Sequence, residues 1–242
     1  MADELCIGDL CLKSRFMLGS GKTSVYTPEL IKAAVEYAGV EMISVAIAKL
    51  DTEENPIPFI PESVVILPNT LGARDSESAV AMARHAADSG LGKIVKLEIM
   101  QDSKYFLPDA PETLRATEIL TNEGFTVLPY MYPELVTAKE LYNAGAKALI
   151  PLASPSGSNK GLQTKDFIEV LIREIDLPII VDAGIGKPSQ ACEAMEIGCA
   201  AVMAKTALST AGNIRIMARS FKKAIEAGRE AYLSQESQKK IV

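Results

Sequence analysis

One histidine, His85, stands in 242 residues, and tryptophan is missing altogether. A triad built on imidazole would have to use that single side chain, and a zinc site would need cysteines or carboxylates for its other ligands. Cysteine is scarce too. Cys6, Cys11, Cys192 and Cys199 show no C-x-x-C spacing, which argues against a zinc or dithiol motif. A chain this long can bury a full core without covalent staples, so disulfides are not implied. No apolar run approaches the ~20 residues that cross a bilayer. The N-terminal segment MADELCIGDL is acidic and lacks the basic stretch and apolar run of a signal peptide. The expectation is a soluble, cytoplasmic protein that engages no membrane. Basic residues are outnumbered, 25 Lys and Arg against 31 Asp and Glu for a net charge of −6, so a nucleic-acid partner is not expected either. Chemistry is left to Lys, Asp, Glu or Cys.

What is present is a repeated unit. A helical stretch, a glycine and a short apolar run recur in EYAGVEMISVAI, DSGLGKIVKLEIM, NEGFTVLPYM, NAGAKALIPLA and EIGCAAVMA. The glycines (Gly39, Gly90, Gly124, Gly145 and Gly198) occupy the place where a helix ends in a left-handed residue. The runs after them are continuously apolar, as in parallel strands covered by helices. VVILPNT and PIIVDAG follow proline-containing turns, and RFMLGSG near the start brings the count of candidate strands to eight. Eight strands with helices between most of them, in a length near ~250 residues, predict a single α/β domain over residues 1–242: a (β/α)8 TIM barrel. A doubly wound open sheet is the alternative, though it commonly has fewer strands. ELCIGDLCLKSR reads as a hairpin within residues 1–14, turning at Gly8-Asp9 and capping the N-terminal end of the barrel. The polar segment 233–242 reads as a frayed tail.

IVKLEIM, residues 94–100, carries the most chemistry. Side chains alternate along a strand, so Lys96 and Glu98 share one face, while Val95, Leu97 and Ile99 share the other. The apolar set must meet the helices, which points Lys96 and Glu98 into the barrel. Burial favours the neutral amine, the form that attacks a carbonyl to make an imine; Glu98 works against that but supplies an adjacent acid or base. A structural Lys–Glu pair is the alternative. In PIIVDAGIG, Asp182 alternates with Ile180 and points inward near a strand end, although a carboxylate there can also cap a helix. Gly184 and Gly186 let backbone N–H groups approach an anion. The small-residue loop LASPSGSNKG around Gly157, and Lys205-Thr206 before a further helix, complete an expected phosphate site. GSGKT at 19–23 is not a phosphate loop, because Phe16 stands where that motif needs glycine; it reads as a strand end at the barrel mouth. His85 falls on a helix as a surface or packing residue. Asn69 in LPNT ends a strand near the mouth, as a residue that supports the site from behind.

Taken in order, SRFMLGSGK, ILPNT, VKLEIM, FLPDAPETL, GFTVLPY, ASPSGS, PIIVDAGIGKPSQA, KTALS and AIEAGREAY resemble the bacterial thiazole synthases of thiamin biosynthesis, from residue 14 to about 232. The resemblance implies a transferase acting on 1-deoxy-D-xylulose 5-phosphate. Lys96 would form a Schiff base with the C2 ketone, and Glu98 and Asp182 would move protons as the carbonyl migrates to C3. Gly157, Ala183, Gly184, Lys205 and Thr206 would bind substrate. It further implies sulfur arriving as a thiocarboxylate on a ubiquitin-like carrier protein, a glycine-derived imine from a partner enzyme, a homotetramer, and no metal or redox cofactor. Against the family pattern, Lys205 replaces a usual asparagine and Ser156 a usual isoleucine. AIAKL stands where an Arg-Arg pair is common, and Leu71-Gly72 follows LPNT where Ala-Gly is usual. An aldolase-like Schiff-base barrel enzyme, or a non-catalytic paralogue that binds the carrier, are the alternatives.

Overall fold

A computed structural model describes residues 3–20, 26–102 and 104–239, with side chains to residue 235. Two short strands, β1 (Leu5–Ile7) and β2 (Leu10–Leu12), form an antiparallel hairpin. Eight parallel strands follow: β3 (Phe16–Leu18), β4 (Met42–Ala46), β5 (Val65–Asn69), β6 (Ile94–Leu97), β7 (Thr126–Met131), β8 (Ile150–Pro151), β9 (Ile180–Val181) and β10 (Ala201–Ala204). They pair in the order β8-β7-β6-β5-β4-β3-β10-β9. Parallel bridges from Leu149 to Ile179 and from Leu152 to Asp182 join the two outer strands and close the barrel. Helices α1 (Pro28–Ala38), α2 (Ser76–Ala86), α3 (Ala110–Asn122), α4 (Leu135–Asn143), α5 (Lys165–Glu174), α6 (Pro188–Glu196), α7 (Thr206–Ser209) and α8 (Ile214–Lys239) complete the (β/α)8 TIM barrel.

Local chemistry explains these units. Thr27 accepts a hydrogen bond from the Leu30 N–H and Pro28 stands at the first turn, so α1 starts there; Gly39 ends it with φ 69°, its N–H bonding back to Ala34 and Val35 carbonyls. The strand after it alternates. Ile43 and Val45 pack outward with α1 residues Leu30, Ile31 and Ala34 in one buried cluster. Met42 points inward with Met17, Leu67, Leu128, Ile150, Ile180 and Met203 in another.

Leu5, Ile7 and Leu12 of the hairpin belong to that inner cluster. Gly8 at the hairpin turn lies against Thr126, the first residue of β7, so the hairpin plugs the N-terminal end of the barrel. Two expectations need correction. Cys6 and Cys11 form a disulfide: the two-residue turn sets them directly across the hairpin from each other, an adjacency that linear spacing rules do not register. Residues 233–239 continue α8 as helix rather than beginning a frayed tail, since polar residues extend a helix well once it has nucleated. Of the GSGKT string, Gly21, Lys22 and Thr23 lie outside the described residues.

Candidate active site

Barrel strands present their C-terminal ends to one rim, and β6 carries its inward pair there. Val95, Leu97 and Ile99 pack against Ala79, Val80, Ala83, Ala116 and Leu120 of α2 and α3, which leaves Lys96 and Glu98 on the inner face. Both are buried, Lys96 at 1% exposure and Glu98 at 4%. Glu98 Oε1 lies 2.8 Å from Lys96 Nζ. On the other side Lys96 donates a hydrogen bond to Asp182 Oδ2, across the barrel at the end of β9. The Tyr130 ring lies 5.4 Å beneath the same Nζ. Thr70 fixes the backbone at Glu98, its Oγ1 accepting from the Glu98 N–H and donating to the Glu98 carbonyl, both at 2.8 Å.

Electrostatics follow from this packing. Burial pushes the Lys96 ammonium toward deprotonation, but Asp182 and Glu98 on either side more than offset it, so the amine rests charged and its pKa lies above the usual lysine range. Burial raises the Glu98 carboxyl, against the lowering effect of the Lys96 charge. Glu98 Oε1 is buried and, although within ion-pair distance of Lys96, has no hydrogen-bond donor in line. A buried acceptor with unused capacity is uncommon outside functional sites. The trio can therefore pass the lysine's proton to a carboxylate and expose a nucleophilic amine.

The remaining expected residues assemble beside it. Gly157, Ala183, Gly184, Lys205 and Thr206 line one small cleft, and Lys96, Glu98 and Asp182 line its neighbour; Ser20, Ser156, Asp182 and Ala183 border both. Ala183 holds the left-handed φ of 62°, a conformation that costs a non-glycine residue roughly 1–3 kcal/mol and clusters at functional sites. At Gly184, φ 78°, a Cβ would lie 1.7 Å from Ser154 Oγ, so only glycine fits. Lys205 is buried at 6% exposure with Nζ 3.9 Å over the Tyr26 ring. Burial, and then the positive charge of Lys49, bring it down to about 8.

His85 sits apart on α2, half exposed and paired with Asp51 at 3.1 Å. Among the described residues no group of three or more His, Cys, Asp or Glu side chains is placed to hold a metal ion. Ser20, Ser44, Tyr26, Thr70 and Tyr130 join the site without having been singled out from the sequence. Ser20 lies in the GSGKT string read as a strand end at the barrel mouth, Thr70 in LPNT and Tyr130 in GFTVLPY, whereas Ser44 and Tyr26 fell in no string that pointed to the site.

A closed parallel barrel with a buried lysine held between carboxylates at the strand ends, beside a glycine-lined anion-sized cleft, has the build of a (β/α)8 enzyme. The family model of the thiazole biosynthesis protein ThiG matches residues 6–242. A thiazole synthase from Clostridium beijerinckii is 61% identical, covering 96% of this chain and 90% of its own length. One from Fusobacterium nucleatum is 55% identical over 97% and 91%. Among solved structures, the Amycolatopsis orientalis BexX/CysO complex superposes with a TM-score of 0.84 at 31% identity, covering 95% of each chain. The chain belongs to the thiazole synthase family of thiamin biosynthesis.

Proposed function

We propose that this enzyme forms an imine between Lys96 and the C2 ketone of 1-deoxy-D-xylulose 5-phosphate. The observation that carries the reading is a fully buried lysine whose ammonium is wedged between Glu98 and Asp182 beside the Gly184–Lys205 cleft. The lysine gives its proton to a carboxylate, the neutral amine attacks C2, and water leaves as the C=N bond forms. Glu98 and Asp182 then take a proton from C3, return one to C2 and accept the C3 hydroxyl proton as the carbonyl moves to C3. The phosphate sits against the Ala183-Gly184 backbone, the Gly157 loop, Thr206 and Lys205, whose ammonium adds a charge-assisted hydrogen bond.

The rest of the reading concerns partners. Sulfur is delivered as a thiocarboxylate on the C-terminus of a ubiquitin-like carrier protein, and a partner enzyme supplies a glycine-derived imine. Ring closure yields the thiazole phosphate. The likeness to a chain solved in a BexX/CysO complex supports a carrier partner. We further propose a homotetramer working in the cytoplasm, with no resident cofactor, since the lysine imine itself serves as the electron sink; among the described residues no helix is long and apolar enough to cross a membrane.

Borohydride reduction tests this. With substrate present, one reduced adduct should map to the peptide holding Lys96, and Lys96→Ala should abolish it. Glu98→Ala and Asp182→Ala should still form imine but stop turnover. An adduct elsewhere, or none, sinks the assignment. Carbon–carbon cleavage of the sugar phosphate without the carrier would indicate an aldolase instead, and carrier binding without an imine a non-catalytic paralogue.

A further inference from the structure

Asn69, at the end of β5, is completely buried beside Lys96 in the strand register. Its Oδ1 accepts the Leu71 N–H at 3.1 Å. That bond orients the amide: the oxygen faces the Leu71 N–H, so the NH2 group faces the other way, where it meets two serine hydroxyls. It donates to Ser44 Oγ at 2.8 Å and to Ser20 Oγ. Both amide protons are thus committed. Each serine oxygen is an acceptor from Asn69, and each hydroxyl proton is directed away from it.

The two serines differ in where that proton can go. Ser44 is completely buried on β4. Ser20 lies two residues past β3 and borders both clefts, the one around Lys96 and the one around Gly184 and Lys205. A five-carbon chain joined to Lys96 at C2 and anchored by its phosphate at the other end has its middle carbons at that shared border. There the C3 oxygen changes character. As the carbonyl migrates, C2 takes a proton from one carboxylic acid and the C3 hydroxyl gives its proton to the other carboxylate. Negative charge develops on that oxygen while the C3=O bond forms.

We propose that Ser20 is a catalytic hydrogen-bond donor to the C3 oxygen, with Asn69 as the positioning residue that turns its hydroxyl toward substrate. Ser20 keeps its proton throughout; it stabilises developing charge from a fixed position. The inference rests on the imine reading above and adds to it the group that drives the migration step.

The experiment pairs turnover with borohydride trapping. Ser20→Ala should lower kcat about 100-fold, in the range for losing one such donor, with KM changed less than threefold and the Lys96 adduct formed to the wild-type extent. Ser20→Thr, which keeps the donor, should retain kcat within about threefold. Asn69→Asp is close in shape but accepts from both serines, drawing the Ser20 proton off the substrate. It should match Ser20→Ala, and the double variant should be no slower than either. Ser20→Ala with wild-type kcat and a full adduct would overturn this inference alone. An adduct lost in Ser20→Ala would also overturn it, by assigning the serine to imine formation or folding. No adduct in the wild-type enzyme would overturn the imine reading and this inference with it.

Discussion

Lys205 and Lys96 are both buried lysines at one rim, yet their surroundings drive them in opposite directions. Lys96 has two carboxylates and stays charged; Lys205 faces an aromatic ring and another lysine, and its pKa falls to about 8. A phosphate ester is already a dianion above pH 7, so between pH 7 and 9 its own charge is constant. The Lys205 charge is not: it is present below pH 8 and lost above it, so on the proposed phosphate contact affinity falls with it. KM for the sugar phosphate should therefore rise several-fold from pH 7 to 9. Lys205→Asn should flatten that dependence while raising KM at pH 7. A KM profile equally steep in the variant would mean that another group titrates. Strand alternation makes Lys96, Glu98 and Asp182 legible from sequence, because period-two geometry is local. Ser20 was legible only as part of a string at the barrel mouth, not in its role. Its orientation depends on Asn69, 49 positions away, and on which way an amide points.

The hairpin shows the same division between elements. Its turn, and its place under the barrel, follow from a Gly-Asp pair between short apolar runs, whereas the Cys6–Cys11 bond depends on cross-strand pairing. Leu5, Ile7 and Leu12 face the barrel floor, while both cysteines face out on the exposed side. Reducing the disulfide therefore frees a six-residue loop without touching the core. The chain-entropy model limits the loss to about 2 kcal/mol, or about 4–8 °C in Tm for a domain this size. Reduction by dithiothreitol, or Cys6→Ser, should lower Tm by up to that amount in calorimetry. Because the hairpin closes the end opposite the Lys96 rim, kcat should be unchanged. A fall in kcat at constant Tm would show that the plug communicates with the site. The Gly-capped helices were legible for a related reason, since Thr27 and Gly39 terminate α1 through contacts within a few residues. The extension of α8 to Lys239 was not, because a polar run carries no stop signal.

At the scale of the whole molecule, a barrel closes only if its first and last strands meet, and here the chain's two ends are tied together. β3 pairs with β10, Arg15 donates to the Ala200 carbonyl at 2.7 Å, and Phe16 stacks on Phe221 of α8 at 5.3 Å. Eight strands could be counted from the sequence, but this clamp joins positions from 185 to 226 residues apart and leaves no local trace. Asp3 is its hub: one carboxylate accepts from Arg229 and from Arg15, each at 2.8 Å. The hydrogen bond from Arg229, and then that from Arg15, outweigh burial and hold the carboxyl at about 2, below its ordinary 3.8. Because the folded-state pKa is the lower one, the clamp's contribution is complete above about pH 4 and is lost as pH falls toward 2. The Asp3 side chain is 38% exposed, so solvent screening reduces that contribution to about 1 kcal/mol. Asp3→Asn should accordingly lower Tm by about 2–4 °C at pH 7, and the gap from wild type should narrow as pH is lowered from 4 toward 2.5. A gap constant across that range would mean that the loss at pH 7 comes from packing or a neutral hydrogen bond rather than from the charge. The tie between the chain's two ends would then rest on the β3–β10 pairing, the Arg15–Ala200 hydrogen bond and the Phe16–Phe221 stack rather than on the Asp3 charge.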